Sequence, residues 1–504
     1  MTPGTTGQAP ARVPLWLVAL LCLMAFAFQG TRGLWEPDEG RYSSGGIHMQ
    51  QGGDWLVPTV DGEQPHLTKP PLTYWALAAS FAALGHNEWA ARLPSALAYI
   101  GTGLFVFRLG RRLCPRKPWL PAVVWGLSFA PAIAANVVST DPLLVLFETA
   151  AMYAFVEAWS QQGGPARRWY LWMWLGWGLT FMTKGPPGLL PLFAMTLFLA
   201  VHDRPRLRAM YSIGGVALFC VVAFTWFGIV VAQQPDRLGY FLGNEVYDRV
   251  FTATHDRNAQ WYGAFKVYLP VLLAGTLPWL LFATIAAGGP LRGWRVLRQK
   301  LRERNGDWLL LAYWLLLPLA IFFLARSRLQ LYVLPLFVPL ALAMARPLAC
   351  WRGLEGRRGI SAIALTALAL LALKAVLAYW PSDRDSRALA GQLQRAIGSS
   401  AVDEIIFVSM RPFYGLNVYL PERVDGLEID DRRFDYSTHV TRAGLCSEIA
   451  RRPRTVYLLK ESRAADFKAA LAACDFQADR LGTVHADGNV LVLLAAGARR
   501  ANSS

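Results

Sequence analysis

The sequence predicts an α-helical, multi-pass membrane protein, with about eleven transmembrane helices, interfacial helices on the outer side and a small C-terminal α/β domain. Two observations from the residues predict the membrane part. Of 504 residues, 54% are hydrophobic and 17% are charged, against roughly 25% charged in an ordinary soluble domain. The apolar residues also come in runs close to the roughly 20 residues that a helix needs to cross a bilayer core. A third observation fixes the orientation. The net charge of +16 sits largely in short Arg-rich loops between those runs, the positive-inside pattern, so no nucleic-acid partner is expected. This composition excludes a disordered chain, a coiled coil and a disulfide-stapled miniprotein. Cysteines 22, 114, 220, 350, 446 and 474 show no metal-ligand spacing, which argues against a zinc site built on Cys.

In chain order, the run 14–30 has only Arg12 before it and no small-residue cleavage site after it, so it reads as a retained first span. The further runs are 89–107, 119–138, 142–159, 169–183, 185–201, 211–232, 264–287, 308–325, 329–345 and 359–380, making eleven spans. Segment 71–84 is apolar but short, which suits an interfacial or re-entrant helix. With that segment not crossing and the N-terminus cytoplasmic, loops 108–118, 160–168, 202–210, 288–307 and 346–358 fall inside with 20 Lys and Arg. The short outside turns 139–141, 184 and 326–328 then carry 3. The membrane domain is therefore expected over 1–380, with the long outside loop 31–70 as the candidate catalytic loop. Residues 381–504 are expected as a periplasmic α/β domain. Runs 404–409, 455–460 and 489–495 read as its strands, and 384–398 and 461–473 as helices. The 20 Trp are expected mainly as interfacial belts.

This topology gathers polar residues on one side of the membrane. Loop 31–70 carries Trp35-Glu36-Pro37-Asp38-Glu39-Gly40-Arg41-Tyr42 and ends in His66-Leu67-Thr68-Lys69-Pro70. Asp141, Lys184, the loop 233–263 with Asn244, Glu245, Asp248, Arg249 and His255, and the turn Arg326–Arg328 followed by Tyr332 lie on the same side. Ionisable groups near a bilayer are costly, so their coincidence points to function. Arg41, Lys69, Lys184 and Arg328 are suited to hold a phosphate or diphosphate. Asp38, Glu39 or Asp141 supplies a carboxylate, of which Asp38 can take a proton from an attacking hydroxyl. Together they describe group transfer from a lipid-linked phosphate donor, with the lipid phosphate as leaving group. Each residue also has a plainer reading. Asp38 and Glu39 fit first-turn capping, and Asp141-Pro142 fits an N-cap followed by Pro. Lys69 and Lys184 fit snorkelling anchors, and Arg328 fits a headgroup contact. His255 is a lone histidine.

The elements WEPDEGRY, HLTKPPLTYW, STDP, TKGPPGLL and SRLQLYVLP, in that order over about 14–345, resemble the lipid A aminoarabinose transferases and their bacterial relatives. These belong to the GT-C superfamily, which includes protein O-mannosyltransferases. The resemblance implies an inverting glycosyltransferase of the bacterial inner membrane that takes a sugar from polyprenyl (undecaprenyl) phosphate. The acceptor on the periplasmic face is lipid A, another envelope glycan or a protein. It implies Asp38 as the essential carboxylate and Asp141 as an orienting one. Arg41, Lys69 and Lys184 are implied at the donor phosphate, with Tyr332 near phosphate or lipid. The family pattern has a Glu before the Lys-Pro pair where this chain has Thr68. That Glu helps to hold a divalent metal in the relatives, which leaves His66 and His255 as the metal candidates here. A polyprenyl-phosphate transporter without catalysis is the reading from a different class. Cys446 and Cys474 both fall in the extracytoplasmic domain, where a bridge and two buried thiols are both open.

Overall fold

A computed structural model describes residues 12–62, 64–161, 164–242, 258, 260–398, 401–429, 438–452 and 454–498. Among them, six helices are long and apolar enough to cross a membrane: Glu88–Leu113, Asp141–Trp159, Ile213–Gln233, Gly306–Leu324, Gln330–Leu348 and Gly356–Tyr379. Gly263–Gly275 and Trp279–Ala286 make a seventh if taken as one span, although they bend by 71°. Leu15–Phe26, Leu72–Leu84 and Pro186–His202 are apolar but shorter. The protein is thus a multi-pass membrane protein. The run 119–138 is divided into Leu120–Gly126 and Phe129–Ala134. Leu72–Leu84 has 13 residues, about 20 Å of helix against a hydrocarbon core of about 30 Å.

The chain divides into two compact units. One comprises Met1–Phe28, Thr68–Leu72 and Pro94–Val376; the other comprises Gln29–Leu67, Thr73–Leu93 and Leu377–Ser504. Packing therefore groups most of the first loop with the C-terminal domain. The core of the first unit is helix against helix. Trp125, Trp159, Trp174, Trp177, Trp226, Trp279 and Trp314 are buried, whereas Trp16, Trp172, Trp261, Trp294 and Trp380 are exposed. Apolar helices in a membrane associate by van der Waals packing, and two of these indoles also find a carbonyl acceptor. Trp174 Nε1 donates to the Met210 carbonyl at 2.7 Å, and Trp279 Nε1 to the Leu127 carbonyl at 3.2 Å.

In the second unit, the C-terminal domain is a six-stranded sheet of order β3-β2-β1-β4-β6-β5. The strands are β1 Glu404–Val408, β2 Arg423–Ile429, β3 Thr438–Val440, β4 Thr455–Lys460, β5 Phe476–Ala486 and β6 Asn489–Ala498. The first four pair in parallel, and β6 and β5 are antiparallel. Apolar clusters cover both faces, one including Leu389 and Leu393 and the other Leu445, Ile449 and Leu471. β1 and most of β4 are buried and read as continuous apolar runs, as parallel strands do. β2 does not, because it carries Asp425 and Glu428. Arg452 pairs with Asp425 at 2.9 Å, with Glu404 at 2.8 Å and with Glu448 at 2.7 Å. Cys446 and Cys474 are joined in a disulfide with Cα atoms 5.1 Å apart. The bridge links Leu445–Arg451 to the end of Ala464–Ala473.

Part of the first loop is helical. Asp38–Gln50 forms a helix in a polar, glycine-rich stretch whose propensity opposes it. Tertiary packing overrides that preference. A Cβ at Gly45 would stand 2.7 Å from the Tyr74 ring, and one at Gly46 2.7 Å from Leu77 Cβ. The small residues thus let this helix lie directly on Leu72–Leu84. Ser44 Oγ donates to the Val60 carbonyl at 2.6 Å.

Candidate active site

Three carboxyls lie within four residues of the loop, and the structure gives each a different environment. Asp38 opens the helix Asp38–Gln50. Its side chain is 54% exposed and pairs with Arg41 one turn along. A helix N-terminus favours an anion at this position. Glu39 is buried. Its Oε1 receives Arg92 Nε and Arg32 Nη2, each at 3.1 Å, and its Oε2 receives Arg92 Nη2 at 3.2 Å and the Trp35 N–H at 2.9 Å. Burial opposes its charge, but the guanidinium groups of Arg32 and Arg92 outweigh that and hold the carboxyl at about 2. The protein's own donors thus occupy both Glu39 oxygens. Arg92 completes this clamp by donating to the carbonyls of Gln29, Arg32 and Gly33 at 2.8, 3.0 and 2.7 Å.

Glu36 is the third carboxyl. Its Oε1 accepts from the Gly415 N–H at 2.6 Å and from Ser386 Oγ at 3.0 Å. Burial pushes the group up to about 8, although both hydrogen bonds and the Arg41 charge favour the anion.

The first unit holds a second set. Lys184, at the end of Gly164–Lys184, pairs with Asp141 at the start of Asp141–Trp159, and both side chains are buried. Lys184 Nζ lies 4.5 Å from the centre of the Tyr332 ring, a cation–π geometry. Glu148 is buried two turns along the same helix, in electrostatic reach of Lys184 and Asp141. Lys69 is buried and its Nζ donates to the Thr68 carbonyl at 2.8 Å. Arg328 is held by backbone carbonyls. Its Nη1 donates to the Asn258 and Gln260 carbonyls at 2.7 Å each, and Nη2 donates to the Phe323 carbonyl at 3.1 Å. It ties a loop to a helix end.

His66 is buried with its ring edge-on to Tyr74. Among the described residues, no three His, Cys, Asp or Glu side chains form a group that could hold a metal ion. These residues do not fit a metal centre. His255, Asn244, Glu245, Asp248 and Arg249 lie outside the described residues.

Reasoning from sequence missed Glu36, Arg32, Arg92 and Glu148. Arg92 and Glu148 did leave a signal, because each is a charge inside an apolar run. Glu36 left none, since nothing in its neighbours indicates burial.

Comparison with known proteins extends this picture. Residues 68–228 match a family described as dolichyl-phosphate-mannose-protein mannosyltransferase. A protein of Sodalis glossinidius, undecaprenyl phosphate-alpha-4-amino-4-deoxy-L-arabinose arabinosyl transferase 2, is 33% identical over 370 residues, covering 72% of this chain and 64% of its own length. The corresponding transferase of Edwardsiella ictaluri is 33% identical over 321 residues, covering 62% and 55%. The matches thus span 55–64% of the length of these relatives. The crystal structure of ArnT from Cupriavidus metallidurans in the apo state superposes with a TM-score of 0.74 at 18% identity, covering 95% of this chain and 97% of that one. The same protein bound to undecaprenyl phosphate gives 0.70 at 19% identity, with the same coverage. At that identity the likeness establishes the fold.

Proposed function

On the premise that this chain resembles the bacterial undecaprenyl-phosphate aminoarabinose transferases in sequence and ArnT in fold, we propose that it is an inverting glycosyltransferase. It moves a sugar from undecaprenyl phosphate to an acceptor at the periplasmic face, with lipid A as the first acceptor to test. The observation that carries this reading is the division of labour in the first loop. Of its three clustered carboxyls, Asp38 alone combines exposure with a helix N-terminus and a single cationic partner.

In the proposed step, Asp38 takes the proton from an acceptor hydroxyl. The acceptor oxygen bonds to the anomeric carbon as that carbon's bond to the phosphate oxygen breaks. The electron pair leaves with undecaprenyl phosphate, whose charge Arg41, Lys69 and Lys184 stabilise. Asp141 orients Lys184, and Tyr332 steadies its ammonium. Glu39 and Arg328 serve structure. We place 1–380 as the membrane glycosyltransferase domain, with residues 381–504 on the periplasmic side and the N-terminus in the cytoplasm.

Two experiments test this reading. Purified Asp38→Asn, assayed with undecaprenyl phosphate-4-amino-4-deoxy-L-arabinose and lipid A, is expected to lose roughly 10²–10⁴-fold in rate. Near-normal turnover removes Asp38 from the role, whereas intact lipid movement by the mutant favours a transporter. Mass spectrometry of lipid A, surface glycans and periplasmic proteins from a deletion strain identifies the acceptor by the sugar it loses. For orientation, an impermeant thiol reagent applied to intact spheroplasts after mild reduction and unfolding of the domain should reach Cys446 and Cys474 and spare exposed Cys350. The opposite labelling reverses the topology.

A further inference from the structure

Glu36 has no assigned part in the transfer, yet its setting is expensive. A carboxyl taken out of water costs several kcal/mol unless its oxygens are matched, and an apolar side chain would fill the space at less cost. What the carboxyl provides is an acceptor. Its Oε1 gathers the Gly415 N–H and the Ser386 hydroxyl, 379 and 350 residues away in sequence. The backbone repeats the connection: the Glu36 N–H donates to the Arg384 carbonyl at 3.0 Å, and the Ser386 N–H donates to the Leu34 carbonyl at 2.9 Å.

Two glycines enclose the carboxyl. A Cβ at Gly40 would collide with it, and a Cβ at Gly415 would stand 2.5 Å from Ser386 Oγ and 2.8 Å from Glu36 Oε1. Gly40 lies on the first turn of the helix that Asp38 begins. The Asp38–Arg41 pair lies within that turn, so it cannot by itself fix where the turn sits.

We propose that Glu36 is a positioning residue. By bridging Ser386 and Gly415 of the C-terminal domain, it sets the helix turn that carries Asp38. The C-terminal domain then takes part in the transfer without touching substrate. This rests on the assignment of Asp38 as the base.

The test uses the full-length chain in nanodiscs with undecaprenyl phosphate-4-amino-4-deoxy-L-arabinose as donor. Displacing a reacting group by about 1 Å can cost 10²-fold, so Glu36→Ala is expected to lower kcat about 10- to 100-fold. Donor KM should stay unchanged. Hydrogen exchange should quicken across 38–50 and stay unaltered across 141–159. Glu36→Gln keeps an acceptor oxygen and should recover most of kcat. Ser386→Ala should lose less than Glu36→Ala, and the double variant should be no worse than Glu36→Ala alone.

Unchanged kcat and unchanged exchange at 38–50 in Glu36→Ala overturn the proposal. So does a loss of protection throughout the chain that Glu36→Gln fails to repair, because that marks general instability. If Asp38→Asn keeps its turnover, the base assignment falls separately, and exchange at 38–50 still decides whether Glu36 sets the turn.

Discussion

Glu36 and Glu39 are the same residue type, three positions apart, both buried, and they ionise in opposite directions. Burial pushes Glu36 up to about 8. Burial opposes the charge on Glu39 as well, yet Arg32 and Arg92 hold it at about 2. What differs is the partner. Glu36 faces a backbone N–H and a hydroxyl, whereas Glu39 faces two guanidinium groups. Desolvation alone does not set charge; it raises the stakes of whatever the group meets. Asp38, between them, stays exposed and pairs with Arg41.

The largest effect is expected from breaking the Glu39 clamp. Arg92→Met leaves a buried carboxylate with one cation and removes the donor to three backbone carbonyls. Losing one partner of a buried ion pair costs about 3–5 kcal/mol. Thermal unfolding of the detergent-solubilised protein should register this, and adding Glu39→Gln should restore part of it. An Arg92→Met protein as stable as wild type would show that the two glutamates do not differ through their partners.

A smaller effect sharpens the contrast between Arg92 and the cations proposed to hold phosphate. The protein saturates Arg92, while Arg41 pairs with an exposed carboxylate on its own helix turn. Arg41→Ala and Lys69→Ala should weaken donor use more than acceptor use, each by about 1.5–3 kcal/mol for a lost charge-assisted bond to phosphate. Donor titrations read this directly. Unchanged kcat and donor KM would remove both residues from the phosphate.

Much of the membrane unit was legible because the bilayer imposes one rule, length with apolarity, and among the described residues six of the runs obey it as single helices, or seven with the bent pair. The eleven expected runs are helical over most of their described length, even where one breaks at Thr276–Pro278 between Gly263–Gly275 and Trp279–Ala286. β1, β4 and β6 were legible for a similar reason, as short apolar runs. β2 was not, because Asp425 and Glu428 interrupt its pattern and are tolerated only through partners such as Arg452, distant in sequence. The helix Asp38–Gln50 was hidden in the same way, since its glycines look like a loop until Tyr74 and Leu77 pack on them. Sequence singled out Asp38, Glu39, Asp141 and Lys184 one by one, but not that Asp141 and Lys184 pair. It could not separate Glu39 from Asp38, because the separating residues, Arg32 and Arg92, act through space. The Cys446–Cys474 pairing stayed open for the same reason: proximity is a property of the fold.

The smallest effect is a slope with pH. A group raised from 4.5 to about 8 on folding adds stability that is complete below the lower value. That stability is lost as pH rises through the upper one, at no more than about 1.4 kcal/mol per pH unit. A group lowered from 4.5 to about 2 adds stability that is present above the higher value and is lost as pH falls toward the lower. The charged groups acting on Glu36 are Arg41, which lowers it, and Glu39, which raises it; neither changes charge between pH 5 and 8. Over that range Glu36 should therefore give the protein a melting temperature that falls with rising pH, and Glu36→Gln should flatten the fall. Glu39→Gln should leave that slope in place and change stability only below about pH 4.5 relative to its own plateau. Melting curves of the three proteins between pH 3 and 8.5 decide it. If Glu36→Gln keeps the full alkaline fall, the neutral carboxyl lies elsewhere, and the opposition between the two glutamates is wrong in sign at Glu36.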